Sequence, residues 1–152
     1  MPSCEWVLDT WLLEIAQDPF NEASLRALTL LEEIKSRHRI GVDFEYRILR
    51  EYFRYARADS HVGQWLRVII GRSDKVVWRA GNVASERKNK LLNDLGFDRA
   101  DLVFVGVAAE GPDKVIVSEE SDYSEPVRDY LAREMQVRVL SVGEALERAR
   151  DP

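Results

Sequence analysis

The sequence has a single cysteine, Cys4, and only two histidines, His38 and His61. One cysteine cannot form a disulfide within the chain, and the two isolated histidines have no partner at zinc-site spacing. No apolar run approaches the roughly 20 residues of a membrane span. The first nine residues also lack the basic and apolar regions of a secretory signal. We therefore expect a protein of the reducing cytoplasm with no membrane contact.

A basic excess is also missing. The chain has 22 Lys and Arg against 27 Asp and Glu, which gives a formal net charge of −5. A general nucleic-acid-binding surface usually shows a basic excess, so the composition argues against one. It does not exclude a nuclease, because a site built from several carboxylates contributes negative charge that a bound divalent cation neutralises locally.

Proline and glycine are sparse and scattered, with 5 and 8 copies respectively, so no flexible linker divides the chain. There is no internal repeat and no low-complexity segment. A chain of 152 residues that is 45% hydrophobic fits one domain with one core. We interpret residues 1–152 as a single domain.

The apolar pattern predicts alternating strands and helices. Short apolar runs predict five strands, at residues 5–9, 40–42, 76–78, 114–118 and 137–140. Apolar residues at helical spacing predict helices between them, at residues 12–16, 25–36, 44–56, 62–70, 85–95, 98–109, 124–134 and from 141 onward. Strands that alternate with helices indicate an α/β fold with three layers, α/β/α, around a central parallel sheet of four or five strands.

Two helix starts carry the pattern of a capping box. Asp98 is followed three residues later by Asp101, and Ser141 is followed by Glu144. In this motif the first side chain accepts a backbone N–H of the first turn, and the second side chain reaches back to the first residue. We expect both helices to begin at these positions.

Acidic residues follow two of the predicted strands. Asp9 ends the first strand, and Glu120 and Asp122 follow the strand at 114–118. The functional crevice of a parallel sheet lies beyond the carboxyl ends of its strands. Asp101 begins the helix that leads into the second of these strands, and such a helix runs antiparallel to the strand. The four acids should therefore converge at one edge of the sheet.

Clustered carboxylates repel one another unless protons or cations neutralise them. Hard oxygen ligands select Mg²⁺ or Mn²⁺, and a site of this kind can activate water and stabilise the leaving oxygen of a phosphodiester. Each acid also has a simpler interpretation. Asp9 can start a turn, Asp101 can cap a helix, and Glu51 can pair with Arg47 or Arg54. Their joint placement at one edge of the sheet favours the metal site.

Several segments resemble, in order, the motifs of PIN-like nuclease domains: VLDTWLL at 7–13, VDFEYRILREYFRYA at 42–56, GFDRADLVFVGVA at 96–108, VIVSEESDY at 115–123 and VRVLSVGEAL at 137–146. The resemblance implies a PIN-like fold. It also implies four metal ligands and a further acid in the catalytic site; the ligands are Asp9, Glu51, Asp101 and Glu120, and the further acid is Asp122. Ser118 matches the small polar residue of the fourth-strand motif.

The resemblance implies a metal-dependent endoribonuclease that uses Mg²⁺ or Mn²⁺ to hydrolyse RNA, with DNA left open as a substrate. Domains of this class are often toxins of toxin–antitoxin pairs and commonly dimerise. The expected partners are therefore RNA, a second copy of the chain and an antitoxin protein.

The chain departs from the family pattern at two positions. Trp11 replaces the small polar residue that normally follows Asp-Thr, and an indole cannot accept a hydrogen bond from metal-bound water. It can stack on a base, although a buried aromatic is the commoner role. Glu120 stands where Asp is usual, which lengthens the ligand arm. We take Thr10, Trp11, Ser118 and Arg99 as candidate substrate contacts.

Two other functions fit parts of the pattern. A non-catalytic PIN-like module would bind RNA or protein without cleavage, and Trp11 is its main support. A phosphotransfer receiver domain is also doubly wound, but it requires an acidic pair at the first strand and a lysine after the last strand. Asp9 stands alone and Ser141 follows the last strand, which disfavours the receiver domain.

Overall fold

Five short strands form one all-parallel sheet in the structure, a computed structural model that describes residues 3–150. The strand order is β3-β2-β1-β4-β5. Leu8 pairs with Val117 and Val117 with Leu140. The strands are β1 (Glu5–Leu8), β2 (Arg39–Asp43), β3 (Val76–Arg79), β4 (Val115–Val117) and β5 (Arg138–Leu140). The predicted parallel sheet and the three-layer α/β/α fold class are confirmed.

Within residues 3–150, eight α-helices flank the sheet: α1 (Thr10–Ala16), α2 (Ser24–Arg37), α3 (Arg47–Tyr55), α4 (His61–Ile70), α5 (Ser85–Asn89), α6 (Leu102–Glu110), α7 (Glu125–Met135) and α8 (Val142–Arg150). A π-helical turn, Lys90–Asp94, continues α5, and 3-10 turns precede β3 and α6 at Ser73–Lys75 and Arg99–Asp101. None of these described helices is both long enough and apolar enough to cross a bilayer.

Helix α6 is the most buried of the described helices, and its first turn forms one side of the candidate functional site. It packs against β1, β2 and β4, and every residue from Leu102 to Ala108 is buried. The loop after β3 crosses α6 so closely that a Cβ at Gly106 would lie 2.1 Å from the carbonyl oxygen of Gly81. Gly81 itself has a left-handed φ of 74°. Glycine at both positions therefore allows this close approach, which packs the loop after β3 against the middle of α6.

An ion pair with a buried carboxylate lies beneath α6. Glu5 is 2% exposed, and Arg79 donates to its carboxylate from Nε at 3.0 Å and from a terminal nitrogen at 2.8 Å. A Cβ at Gly41 would lie 3.0 Å from this carboxylate, so the strand between the two partners needs a residue without a side chain. The bidentate arginine compensates for the cost of burying the charge.

Three helices differ from the sequence prediction. Helix α3 begins at Arg47 instead of residue 44, because the Asp43 carboxylate accepts the backbone N–H groups of Arg47 at 3.1 Å and Ile48 at 2.9 Å. The predicted helix at 85–95 changes to π geometry after Asn89. The predicted helix at 98–109 opens as a 3-10 turn, in which the Asp98 side chain accepts the N–H of Ala100 at 2.9 Å.

The capping box at the last helix is confirmed. The Ser141 hydroxyl accepts the N–H of Glu144 at 3.1 Å, and the Glu144 carboxylate accepts the N–H of Ser141 at 3.0 Å. The capping box predicted at Asp98 forms only in part, since the Asp101 side chain caps no helix. Its carboxylate is therefore free for another role.

Candidate metal centre and the cavity beside it

Asp9 and Ser118 lie side by side because they follow the paired central strands β1 and β4. The backbone N–H of Asp9 donates to the Val117 carbonyl at 3.1 Å, which continues the ladder by one step. The Ser118 hydroxyl donates to the Asp9 carboxylate at 2.6 Å and accepts the N–H of Glu120 at 3.1 Å. Asp9 is 3% exposed and Ser118 is 1% exposed. The parallel sheet thus holds an almost fully buried carboxylate at the edge where its strands end.

Three further aspartates meet beside this pair. One carboxylate oxygen from each of Asp98, Asp101 and Asp122 lies within 4.8 Å of the others. Asp98 and Asp101 come from the two ends of one 3-10 turn, where residues three apart share a side. Asp122 comes from the loop between β4 and α7. We call these three residues the aspartate trio.

Burial and neighbouring negative charges raise the pKa values of Asp101 and Asp9. Burial raises the pKa of Asp101 to about 8, and the negative charges of Asp9, Asp98, Asp122 and Glu120 add to the effect. Burial likewise raises the pKa of Asp9 to about 6, against the lowering effect of the Ser118 hydrogen bond. These acids therefore behave as one electrostatic cluster that disfavours full ionisation near neutral pH.

The donor set suits a hard divalent cation. All three ligand atoms are carboxylate oxygens, which favour Mg²⁺, Mn²⁺ or Ca²⁺ over softer metals. Oxygens on opposite sides of Mg²⁺ lie about 4.2 Å apart, and those around Ca²⁺ lie up to about 5 Å apart. The spacing within the trio is close to this range. A bound cation would also relieve the repulsion that raises the pKa of Asp101.

Tyr123 lies beside the cluster, and it was not among the predicted site residues although it ends the 115–123 motif. Its ring packs edge-on against Phe97 with centroids 5.2 Å apart, and its hydroxyl is buried with no hydrogen-bond partner among the described residues. Burial, followed by the charges of Asp9 and Asp101, raises its pKa. The hydroxyl therefore stays protonated and is free to donate toward the cluster or toward a molecule bound there.

The predicted metal ligands are only partly brought together. Asp101 belongs to the aspartate trio, and so does Asp122, which was predicted as catalytic. Asp9 and Glu120 act on the trio electrostatically but lie outside it. Glu51 also lies outside it and lines a separate cavity. The alternative interpretation of Glu51, an ion pair with Arg47 or Arg54, is not observed in the described residues, where Arg47 pairs with Glu45 at 2.8 Å.

Asp98 was not predicted as a site residue. It was interpreted only as a helix cap, and its side chain does cap the 3-10 turn. Its second oxygen is still available for a ligand, because a carboxylate accepts at both oxygens. The Asp-x-x-Asp spacing of residues 98–101 was the available signal, since it places both acids on one side of a tight turn.

The predicted substrate contacts lie in different surroundings. Thr10 is the first residue of α1 and follows Asp9 directly. Trp11 is partly buried and packs against the core, which agrees with its expected role as a packing residue. Arg99 is exposed, lies between Asp98 and Asp101 in the chain, and lines the cavity that also contains Glu51.

This cavity of about 540 Å³ adjoins the aspartate trio through Arg99 and Ala100. Its remaining wall comes from α3, from the loop after β3, from Lys88 and from the first turn of α6. We call it the basic cavity, because its charged lining consists of five cationic residues and a single acid: Arg47, Arg50, Arg54, Lys88, Arg99 and Glu51.

Comparison with protein-family models, with curated proteins and with solved structures gave no match to this chain. The resemblance to PIN-like domains is therefore a prediction that depends on the sequence motifs alone. The fold and the acidic cluster, by contrast, are observed in the structure.

Proposed function

We propose that this protein is a metal-dependent nuclease that hydrolyses RNA phosphodiester bonds at the acidic cluster. The observation that carries the proposal is the aspartate trio beside buried Asp9, with the pKa of Asp101 raised to about 8. A cluster that resists ionisation without a cation is suited to bind one, and the carboxyl edge of a parallel sheet is where α/β folds place their ligands.

The residues of the cluster would have different roles. Asp98, Asp101 and Asp122 would hold Mg²⁺ or Mn²⁺. The bound cation would lower the pKa of a water molecule and stabilise negative charge on the leaving oxygen. Asp9, with a pKa of about 6, is suited to accept a proton near neutral pH. Ser118 holds the Asp9 carboxylate in position through its 2.6 Å hydrogen bond.

The test is cleavage of a labelled RNA, with DNA of the same sequence alongside, in Mg²⁺, in Mn²⁺ and in chelator. Asp101→Asn removes a ligand without changing side-chain shape, and Asp129→Asn is the matched control, because Asp129 is an exposed acid of α7 outside the cluster. We expect Asp101→Asn to slow cleavage by at least about 100-fold, or ~2.7 kcal/mol in the barrier, and Asp129→Asn to leave it unchanged.

Chelator should abolish cleavage by the wild-type protein. Equal cleavage in chelator and in Mn²⁺, or equal cleavage by wild type and Asp101→Asn, would contradict the proposal.

A second candidate function is a binding module that does not cleave. The position of Glu51 favours it, since a ligand expected from the resemblance lies outside the aspartate trio. Tight RNA binding without cleavage in any metal would support this alternative. The toxin role, the antitoxin partner and the homodimer remain predictions from the resemblance to PIN-like domains.

A further inference from the structure

The basic cavity has more positive charge than neighbouring acids neutralise. Arg47 forms an ion pair with Glu45 at 2.8 Å. The other four cations of the lining form no ion pair with any of residues 3–150: Arg50, Arg54, Lys88 and Arg99. Glu51 is the only acid among the described residues that line the cavity. Four positive charges and one negative charge leave a formal net charge of +3 in the lining.

Two walls of the cavity are held in place by hydrogen bonds of the fold. In the wall formed by α3, the Asp43 carboxylate accepts two N–H groups of the first turn, and the hydroxyl of buried Tyr52 joins the helix to β1. In the loop after β3, the Glu110 carboxylate accepts the backbone N–H groups of Ala80 and Gly81. A preformed site loses little entropy on binding. The cavity volume of about 540 Å³ is in the range of small-molecule sites.

The lining combines these charges with apolar surface and with an unsatisfied acceptor. Val83, Ala100, Leu102 and Val103 contribute the apolar surface. The Oε2 atom of Glu51 is buried without a hydrogen-bond partner among the described residues, so the protein does not compensate this carboxylate. A ligand that suits the lining therefore carries several negative charges, an apolar face and hydrogen-bond donors.

We propose that the basic cavity is a binding site for a nucleoside diphosphate. Such a ligand carries about three negative charges near neutral pH, one on the inner phosphate and about two on the outer one. The phosphates would lie against Arg50, Lys88 and Arg99, and the ribose hydroxyls would donate to Glu51, since carboxylates are suited to bind ribose. The face of the base would pack on the apolar side chains. No residue of the aspartate trio lines the cavity, so the site does not depend on the proposed function.

A bound nucleotide would also exclude RNA phosphates from the cavity. Arg99 and Ala100, which line the cavity, lie between Asp98 and Asp101 in the chain. An occupied cavity therefore places negative charge next to the aspartate trio. We expect the nucleoside diphosphate to compete with RNA at the acidic cluster; this consequence, unlike the binding itself, depends on the proposed function.

The test is isothermal titration calorimetry of the full chain with ADP, with inorganic pyrophosphate and with adenosine. Chelator is present throughout, so that a metal ion at the aspartate trio cannot hold the phosphates. Pyrophosphate lacks the base and the ribose, and adenosine lacks the charge. We therefore expect ADP to bind at least about ten times more tightly than either of them.

Three variants test the lining, and one variant is the control. Arg50→Gln and Lys88→Gln each remove a cation and should weaken ADP binding by about tenfold or more. Glu51→Gln removes the negative charge, so it should bind pyrophosphate more tightly and prefer ADP less than the wild type does. Arg26→Gln removes an exposed cation of α2 outside the cavity and should bind ADP as the wild type does. Far-UV circular dichroism verifies that each variant is folded.

The inference is wrong if ADP does not bind at millimolar concentration, or if pyrophosphate binds as tightly as ADP. It is also wrong if Arg50→Gln and Lys88→Gln bind ADP as the wild type does, or if Arg26→Gln loses as much affinity as they do. ADP binding by a protein that cleaves no RNA in any metal would leave the nucleotide site standing and contradict the nuclease. RNA cleavage by a protein that binds no ADP would leave the nuclease standing and contradict the nucleotide site.

Discussion

Replacing Asp9 with asparagine should stabilise the metal-free protein. The structure raises the pKa of Asp9 from its ordinary value of 3.8 to about 6. At pH 8 this buried acid is ionised in both the folded and the unfolded chain, and the raised pKa then corresponds to about 3 kcal/mol of lost stability. Asparagine has the same shape, carries no charge, and offers an amide oxygen to the Ser118 hydroxyl. We therefore expect a gain of about 2–3 kcal/mol, or roughly 4–12 °C in Tm for a chain of this size.

The assay is thermal unfolding followed by far-UV circular dichroism at pH 8, in chelator and in Mn²⁺. A cation at the acidic cluster stabilises the wild type by mass action, by about 2.7 kcal/mol at a metal concentration of 100 times Kd. Mn²⁺ should raise the Tm of Asp9→Asn by less, because a negative charge next to the trio is lost. The difference in Tm between the two proteins should therefore shrink or reverse in Mn²⁺. Asp129→Asn should follow the wild type. If Asp9→Asn melts below the wild type in chelator, the carboxylate is stabilised by its surroundings and the reasoning fails.

Two further predictions concern charge in the folded state. Because Asp9 and Asp101 have raised pKa values, the folded chain keeps protons that the unfolded chain releases; stability in chelator should therefore fall as pH rises between about 4 and 8. Urea midpoints across this range check the prediction, and a rise in midpoint with pH would contradict it. Arg79→Met leaves the Glu5 carboxylate buried without its partner and should cost about 3–5 kcal/mol in chemical denaturation. Adding Glu5→Gln should recover much of that loss; if it recovers none, the cost comes from packing around Arg79.

The sequence was sufficient for the architecture because the architecture depends on apolar patterning. The central strands β1 and β4 are buried at every position, so their continuous apolar runs identify them without any tertiary information. The Ser141–Glu144 capping box needs only local contacts and formed as predicted. The position of Asp9 beside Ser118 then follows from the parallel pairing of the two strands.

The position of Glu51 could not be predicted in the same way. Helical periodicity shows that Glu51 shares a face of α3 with Arg47 and Arg54, but it does not show which part of the molecule that face meets. The orientation of α3 is set by long-range packing, in which Tyr52 is fully buried and its hydroxyl donates to the Leu8 carbonyl. This contact joins the helix to the central strand, and no local pattern encodes it.

Net charge was the least informative property of the sequence, because the fold separates the two signs. The formal net charge of the chain is −5. Five cationic side chains nevertheless line one cavity, and the aspartate trio lies beside it. Exposed charges are screened beyond roughly 8 Å at physiological ionic strength, so a ligand in the cavity responds to the local lining and not to the total. The lining of this cavity is therefore suited to a polyanion although the whole chain is acidic, and a divalent cation at the neighbouring acids would strengthen that binding. Chelator should consequently weaken RNA binding as well as cleavage. The loss of binding should be larger at low salt, where the repulsion between the metal-free trio and the RNA is screened less.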